Sequence, residues 1–163
     1  SQEICFVPDN DYAAFICRST KRQEPEGNFV TENGSILGRH KGISHYTIGQ
    51  RKGLGLALGR PVFVTKIRPD TNEVVIGEHA DLMAAELEAE HMNYMAVQHL
   101  EPGQRMMAKI RYSHKGEDCE IADVSENGDQ IRLKFDHPVR AVTPGQAVVL
   151  YKDGCVMGGG TIK

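Results

Sequence analysis

The sequence predicts a mainly β protein with a short N-terminal helix, a small central β domain and a C-terminal antiparallel β-barrel. Glycine is frequent, at 17 of 163 residues, and turns marked by glycine favour short strands over long helices. Between these turns apolar and polar residues alternate, which is the period of a half-buried strand. Hydrophobic residues make up 40% and charged residues 25% of the chain, a balance that is typical of a folded globular protein.

We divide the chain into three segments. Residues 1–22 carry the predicted helix, residues 23–80 form the central domain, and residues 81–163 form the barrel. The charge changes between the last two, since residues 1–80 hold 10 basic and 9 acidic residues and residues 81–163 hold 9 and 13. No run of 18 apolar residues occurs, and the first residues lack the basic and apolar regions of a signal peptide. The chain does not begin with Met, so we expect it to be a piece of a longer protein.

The first predicted element is a helix over residues 9–19. Asp9 or Asn10 can cap its start, and Arg18 complements the helix dipole at its end. Cys5 lies just before this helix, where the dipole and nearby cations lower the pKa of a thiol. A reactive thiolate and a buried, inert cysteine are both compatible with this position. The other cysteines, Cys17, Cys119 and Cys155, are interpreted as structural, and no metal-binding spacing of Cys and His occurs.

The central domain is predicted to contain two hairpins. Residues 28–38 form the first, with Asn33-Gly34 as its turn, and residues 61–77 form the second around a turn at 69–72. The segment between them is rich in glycine, but it lacks the G-x-x-x-x-G-K-[ST] pattern of a P-loop, and no helix follows it as a dinucleotide-binding motif requires. It can hold RNA phosphates with backbone amides and basic side chains, or its glycines can serve the loop structure alone.

The third segment contains six short stretches of strand pattern separated by glycine-containing turns. Several short strands at regular spacing favour a closed antiparallel barrel. The predicted strands are residues 86–95, 105–113, 117–125, 130–136, 146–151 and 155–162.

Between Asn33 and Pro69 the chain has no Asp or Glu but seven Lys and Arg residues. Such a local positive field suits a polyanion, and the alternative is that these charges pair with acids elsewhere in the fold. Within this stretch Arg51 and Lys52 are candidates for contact with RNA phosphates. Arg111 and Tyr112 at a strand end can hold a phosphate and stack on a base, although an ordinary strand end has the same pattern.

Four motifs, in order along essentially the whole chain, resemble the C-terminal part of the tRNA-specific 2-thiouridylases. The match to S-x-x-I-C-F-[IV] surrounds Cys5, and the central match is H-x-G-x-x-x-Y-T-I-G-Q-R-K-G-L-G from His40 to Gly55. The other two motifs lie at residues 135–146 and 158–162.

The resemblance implies an enzyme that transfers persulfide sulfur to C2 of the wobble uridine, U34, of tRNA. It implies that Cys5 receives this sulfur from a sulfur-relay donor protein and forms a disulfide with a second cysteine during turnover. By motif position, Arg111, Tyr112 and Gln146 match residues of the family that contact tRNA.

The sequence departs from the family in lacking the S-G-G-x-D-S loop of an ATP-pyrophosphatase domain and the first family cysteine. We therefore expect ATP and Mg²⁺ to bind an N-terminal domain outside these 163 residues, and no cofactor or activity in this chain alone. A cytoplasmic location is expected, with no membrane or DNA partner. The alternative function is a non-catalytic RNA-binding β-barrel module that resembles the barrels of translation factors.

Overall fold

The computed structural model describes residue 7, residues 12–20 and residues 24–163. The contacts divide the chain into one unit that ends at Leu82 and a second unit, Met83–Lys163. The first unit contains α1 (Tyr12–Thr20), β1 (Gly27–Val30), β2 (Ile36–His40), β3 (Phe63–Arg68), β4 (Glu73–Gly77) and single 3₁₀ turns at Ile43–His45 and Ala80–Leu82. The second contains β5 (Met83–Tyr94), β6 (Arg105–Lys109), β7 (Glu117–Val124), β8 (Ile131–Arg140), β9 (Ala147–Lys152) and β10 (Cys155–Ile162).

Helix α1 confirms the short N-terminal helix over the part that the structure describes. Arg18 stands in its last turn, where a cation complements the helix dipole. The predicted capping residues Asp9 and Asn10 lie outside the described residues. No helix in the described part of the chain is long and apolar enough to cross a membrane.

The sheet of the first unit has the strand order β2-β1-β4-β3. Both predicted hairpins are present, as the antiparallel pairs β1–β2 and β3–β4. A parallel pairing of β1 with β4, in which Phe29 lies opposite Val74, joins the two hairpins into one sheet. Both of these side chains are fully buried.

The second unit is a closed barrel with the strand order β10-β5-β8-β7-β6-β9. Every neighbouring pair is antiparallel, which confirms the predicted architecture. Strand β8 shows the inward and outward alternation of the barrel, since Ile131, Leu133 and Phe135 are buried and the residues between them are exposed. The inward residues of all six strands form one apolar core.

The ends of two strands, β6 and β8, differ from the prediction by four residues. Strand β6 ends at Lys109 rather than 113, because the chain turns there: the backbone N–H of Ile110 donates to His114 Nδ1 at 3.4 Å. Strand β8 continues to Arg140 rather than ending at 136, although it contains Pro138. The pairing of β8 with β5 shifts register between Ala84 and Glu86, and such a bulge accommodates a residue that cannot donate a backbone hydrogen bond.

Candidate nucleic-acid interface

The cysteines of the chain differ widely in their surroundings. Cys5, the candidate sulfur carrier, lies outside the described residues. Cys17, Cys119 and Cys155 are free. Cys119 is fully buried in the barrel, and this burial raises the pKa of its thiol to about 12, so it stays protonated and inert. Cys155, which the strand pattern predicted to be structural, is exposed at the start of β10.

The side chain of Arg111 is held at one end of the barrel. Its Nη1 donates to the backbone carbonyl oxygen of Arg140, the last residue of β8, at 2.8 Å. The contact joins the ends of β6 and β8 and fixes the direction of the guanidinium. Tyr112, the next residue, is 84% exposed, so its ring is open to a partner.

The same end of the barrel carries Gln146. Strands β6 and β9 pair Lys109 with Val149, so the chain leaving β6 runs beside the chain entering β9 at Ala147. The backbone carbonyl oxygen of Gln146 accepts the N–H of Ile162 at 2.8 Å. Its side-chain amide has no hydrogen-bond partner among the described residues. The structure thus brings Arg111, Tyr112 and Gln146 to one rim.

The charges of the connecting loops separate between the two ends of the barrel. The loops 110–116 and 141–146 contain Arg111 and Lys115 and no Asp or Glu. We call this end the basic rim. The loops 95–104, 125–130 and 153–154 contain no Lys or Arg and four acids, which are Glu101, Glu126, Asp129 and Asp153; this end is the acidic rim. A polyanion is therefore attracted to the end that carries Arg111 and Tyr112.

Two acidic side chains on the wall of the barrel have arginine partners on other strands. Arg105 makes a two-pronged ion pair with Asp136, and its guanidinium holds the pKa of that carboxyl below its usual range. Arg132 faces Asp123 at 3.8 Å. These two pairs neutralise part of the charge on the wall of the barrel.

Two histidines lie near the basic rim, and their pKa values are shifted in opposite directions. Burial, and secondarily the charge of Arg111, lowers the pKa of His114. A hydrogen bond with Glu117, 2.7 Å from Nδ1 to Oε1, raises the pKa of His137. His114 is therefore predominantly neutral at neutral pH, and its Nδ1 accepts the N–H of Ile110.

The basic stretch of the first unit contains both paired and unpaired cations. Three of its arginines pair with acids that lie outside the acid-free stretch: Arg39 pairs with Glu26, Arg60 with Glu78, and Arg68 with Glu32 and Glu73. Four other cations have no ion pair with any residue that the structure describes, namely Lys41, Arg51, Lys52 and Lys66. Pairing with acids elsewhere in the fold therefore accounts for three of the seven cations, and the other four remain available to a polyanion.

Gln50 fixes the backbone that presents Arg51 and Lys52. Its Oε1 accepts the N–H of Thr47 and its Nε2 donates to the carbonyl oxygen of Lys52, both at 3.0 Å. Its own carbonyl oxygen accepts the N–H of Val64 at 2.9 Å. The side chains of Arg51 and Lys52 are exposed, so two neighbouring unpaired cations project from a fixed turn.

A buried histidine at the start of the central motif supports the segment that leads to Arg51 and Lys52. His40 is 2% exposed, and its Nδ1 accepts the N–H of Gly42 at 3.1 Å. Its Nε2 then carries the proton and donates to the carbonyl oxygen of Asn72 at 3.1 Å. Burial lowers the pKa of His40, and its ring packs edge-on against Phe29 and Tyr46. The only signal in the sequence is the H-x-G spacing, which fits many roles.

Two family models match the chain in sequence order. The tRNA methyl transferase PRC-barrel domain covers residues 13–78, and the aminomethyltransferase beta-barrel domain covers residues 84–162. The small mixed sheet and the closed barrel thus correspond to a tandem of these two domains. No group of three or more His, Cys, Asp or Glu residues within the described part is arranged to hold a metal ion.

Curated relatives define the family further. A tRNA-specific 2-thiouridylase MnmA of Lachnoclostridium phytofermentans is 58% identical over 162 residues, which are 99% of this chain and 45% of that protein. The MnmA proteins of Clostridium kluyveri and Clostridium perfringens are each 48% identical, again over 45% of their length. The chain belongs to the family of the tRNA-specific 2-thiouridylases and matches their C-terminal part. It spans about half the length of these relatives.

Proposed function

We propose that this chain is the tRNA-holding part of a 2-thiouridylase that transfers persulfide sulfur to C2 of the wobble uridine, U34. The observation that supports this most directly is the basic rim, where Arg111, Tyr112 and Gln146 meet without any acid in the rim loops. It lies in a chain whose relatives are named tRNA-specific 2-thiouridylases.

The three side chains of the rim have complementary tasks in this proposal. A guanidinium has five N–H donors, and among the described residues only Nη1 of Arg111 is engaged, so the remaining donors are available to a phosphate. The exposed ring of Tyr112 stacks on an unpaired base. The free amide of Gln146 donates to, or accepts from, a base or ribose. Arg51 and Lys52 of the first unit add phosphate contacts.

Cys5 is the proposed sulfur carrier. Its thiolate attacks the outer sulfur of a persulfide on a sulfur-donor protein, so a new S–S bond forms on Cys5 as the donor's S–S bond breaks and the donor leaves as a thiolate. Oxidation states balance without a further reductant at this step. In the longer protein, ATP with Mg²⁺ bound by an ATP-pyrophosphatase domain would supply the adenylation that activates the uridine oxygen. The outer sulfur of Cys5 then bonds to C2 as AMP leaves, and a second cysteine supplies the two electrons that reduce this sulfur by forming a disulfide with Cys5. The 163 residues alone are expected not to thiolate tRNA, and the cytoplasm is the proposed location.

The test uses a longer protein in which this chain is joined to such a domain. We expect the Cys5→Ser variant to bind tRNA as the parent does and to incorporate no sulfur at U34, measured as 2-thiouridine by mass spectrometry of digested tRNA. Cys155→Ser is the matched control, because it removes an exposed cysteine from the same chain. Full thiolation by the Cys5→Ser variant would refute the role of Cys5.

The second candidate function is a non-catalytic RNA-binding module. The closed barrel and its basic rim favour it, because neither depends on Cys5. The coding sequence upstream of Ser1 separates the two candidates. An S-G-G-x-D-S motif there supports the enzyme, and a start codon directly before Ser1 supports the module.

A further inference from the structure

A cavity of about 430 Å³ opens in the first unit, walled by residues 51–62. We call this segment the glycine loop. Gly53, Gly55 and Gly59 all lie in it with positive φ, a conformation that side-chain-bearing residues rarely adopt. The volume falls in the range of about 300–1,000 Å³ that is common for small-molecule sites.

Backbone hydrogen bonds hold the chain just before and just after the glycine loop, which we call its neck, whereas the N–H groups within the loop are unpaired among the described residues. At the neck, the N–H of Gly49 donates to the carbonyl oxygen of Val64 at 2.8 Å, and the N–H of Val64 donates to that of Gln50 at 2.9 Å. Between Arg51 and Val62 no backbone N–H donates to any described residue. Such a span offers several donors to one acceptor-rich ligand.

The charge of the loop selects an anion. Arg51 and Lys52 are exposed and have no ion pair with a described residue. Arg60, on the other side of the cavity, is already paired with Glu78. The loop itself contains no Asp or Glu, so a ligand with only acceptors, such as a phosphodiester, meets donors and cations.

The floor of the cavity is apolar. Leu54 and Val62 line it and are 7% and 8% exposed, as members of the core of this unit. Leu56 also lines it and is half-buried. Apolar side chains beside exposed cations suit a nucleotide, because every base presents an apolar face.

We propose that the glycine loop is a subsite for one unstacked nucleotide of single-stranded RNA. The phosphate binds the backbone N–H groups with Arg51, and the base lies on Leu54 and Leu56. This subsite rests on the proposed function for its source of RNA, a tRNA. A peptide is the less favourable occupant, because its backbone carries no charge to pair with the exposed cations Arg51 and Lys52.

The test follows backbone amide resonances of the ¹⁵N-labelled 163-residue chain by NMR during titration with four ligands: inorganic phosphate, uridine 5′-monophosphate, an oligouridylate and a tRNA transcript. We expect all four ligands to shift the amides of residues 51–62. We expect uridine 5′-monophosphate to bind more tightly than phosphate, since only it covers the apolar floor.

Two variants separate the parts of the subsite. Arg51→Gln is expected to weaken the oligouridylate about tenfold, the low end for a charged hydrogen bond. Lys66→Gln is its control, because Lys66 is also an exposed, unpaired cation of this unit but lies outside the loop. Leu56→Ser is expected to weaken the mononucleotide about threefold and to leave phosphate binding unchanged.

The outcomes distinguish the subsite from the function on which it rests. If tRNA shifts the basic rim while residues 51–62 stay silent, the subsite is refuted and the tRNA-holding function stands. Equal losses in Arg51→Gln and Lys66→Gln, or binding of phosphate as tight as that of the mononucleotide, also refute it. If tRNA shifts neither region, the proposed function fails as well.

Discussion

Nε2 of His40 donates to the backbone carbonyl oxygen of Asn72 at 3.1 Å and thereby ties the end of β2 to the turn between β3 and β4. Asn72 extends the connection, because its Nδ2 donates to the carbonyl oxygens of Pro25 and Glu26 at 3.2 and 3.1 Å. The two residues lock the two hairpins of the first unit together. The same imidazole accepts the N–H of Gly42, at the start of the segment that leads to the glycine loop.

Replacement of His40 by Phe tests this lock. Phe fills a similar volume but leaves the Asn72 carbonyl oxygen and the Gly42 N–H unpaired in a buried position. Each unpaired group lowers the free energy of unfolding by up to about 3 kcal/mol. We expect the free energy of unfolding of the first unit to fall by roughly 2 kcal/mol in urea titrations. His45→Gln is the control, since His45 is exposed and such substitutions change stability by about 0.5 kcal/mol or less. Equal effects of the two changes would show that the lock contributes nothing.

The lowered pKa of His40 predicts a dependence on acid. Burial disfavours the imidazolium, so protonation is easier in the unfolded chain than in the folded one. The folded state therefore loses stability as the pH falls below the unfolded pKa of about 6.5, until the pH reaches the lowered folded pKa. His137, whose pKa is raised, opposes this trend, because its contribution is present below its unfolded pKa and is lost as the pH rises through the folded one.

The difference in stability between the parent chain and the His40→Phe variant isolates the contribution of His40. We expect the stability gap between these two proteins, measured from urea midpoints at pH 7.5 and pH 5, to narrow at the lower pH. A gap that stays constant or widens in acid would contradict a neutral, buried His40.

Asn72 provides a separate test of backbone geometry. It has φ 53°, in the left-handed region that Asn and Gly tolerate better than Ala. Asn72→Gly removes the two side-chain hydrogen bonds and keeps the favoured conformation, whereas Asn72→Ala also introduces strain of about 1–2 kcal/mol. We expect Ala to be the more destabilising replacement by about 1 kcal/mol in urea titrations. The reverse order would mean that the φ of this residue is not important for stability.

Much of this fold could be predicted because it is encoded locally. Each hairpin of the first unit is formed by strands that are close in sequence and separated by a turn with Asn. The pairing of β1 with β4 joins residues more than 40 positions apart, and alternation does not specify which strand edges meet. The boundary of β8 was missed for a related reason, since the bulge that accommodates Pro138 depends on its neighbour β5.

The candidate site was predictable in its residue types but not in its arrangement. Successive loops of an antiparallel barrel lie at alternate ends, so acids and bases that are mixed along the sequence separate into an acidic and a basic rim. Arg60 and Glu78 illustrate the opposite case, because their ion pair reduces the charge of a stretch that looks uniformly basic in the sequence. Only the three-dimensional structure shows that Arg51 and Lys52 remain unpaired.

The basic rim predicts how binding of tRNA depends on salt. Arg111→Gln is expected to weaken tRNA binding by the 163-residue chain about tenfold and to reduce the slope of log affinity against log salt by roughly 0.9. Arg132→Gln removes the same charge from the wall of the barrel, where the guanidinium faces Asp123. Filter-binding titrations between 50 and 200 mM salt, roughly the range in which this dependence is steep, measure both quantities. If the two variants lose affinity and slope equally, the rim is not the contact surface.

The exposed ring of Tyr112 predicts a contribution to tRNA binding that does not depend on salt concentration. Its ring is 84% exposed and has little packing to lose, so substitution should leave the stability of the barrel unaltered. Stacking on a base contributes about 1–3 kcal/mol, so Tyr112→Ala is expected to weaken tRNA binding by tenfold or more with an unchanged salt slope. Tyr112→Phe keeps the ring and should bind almost as the parent does. Loss of affinity in the Phe variant as large as that in the Ala variant would assign the role to the hydroxyl group and refute stacking.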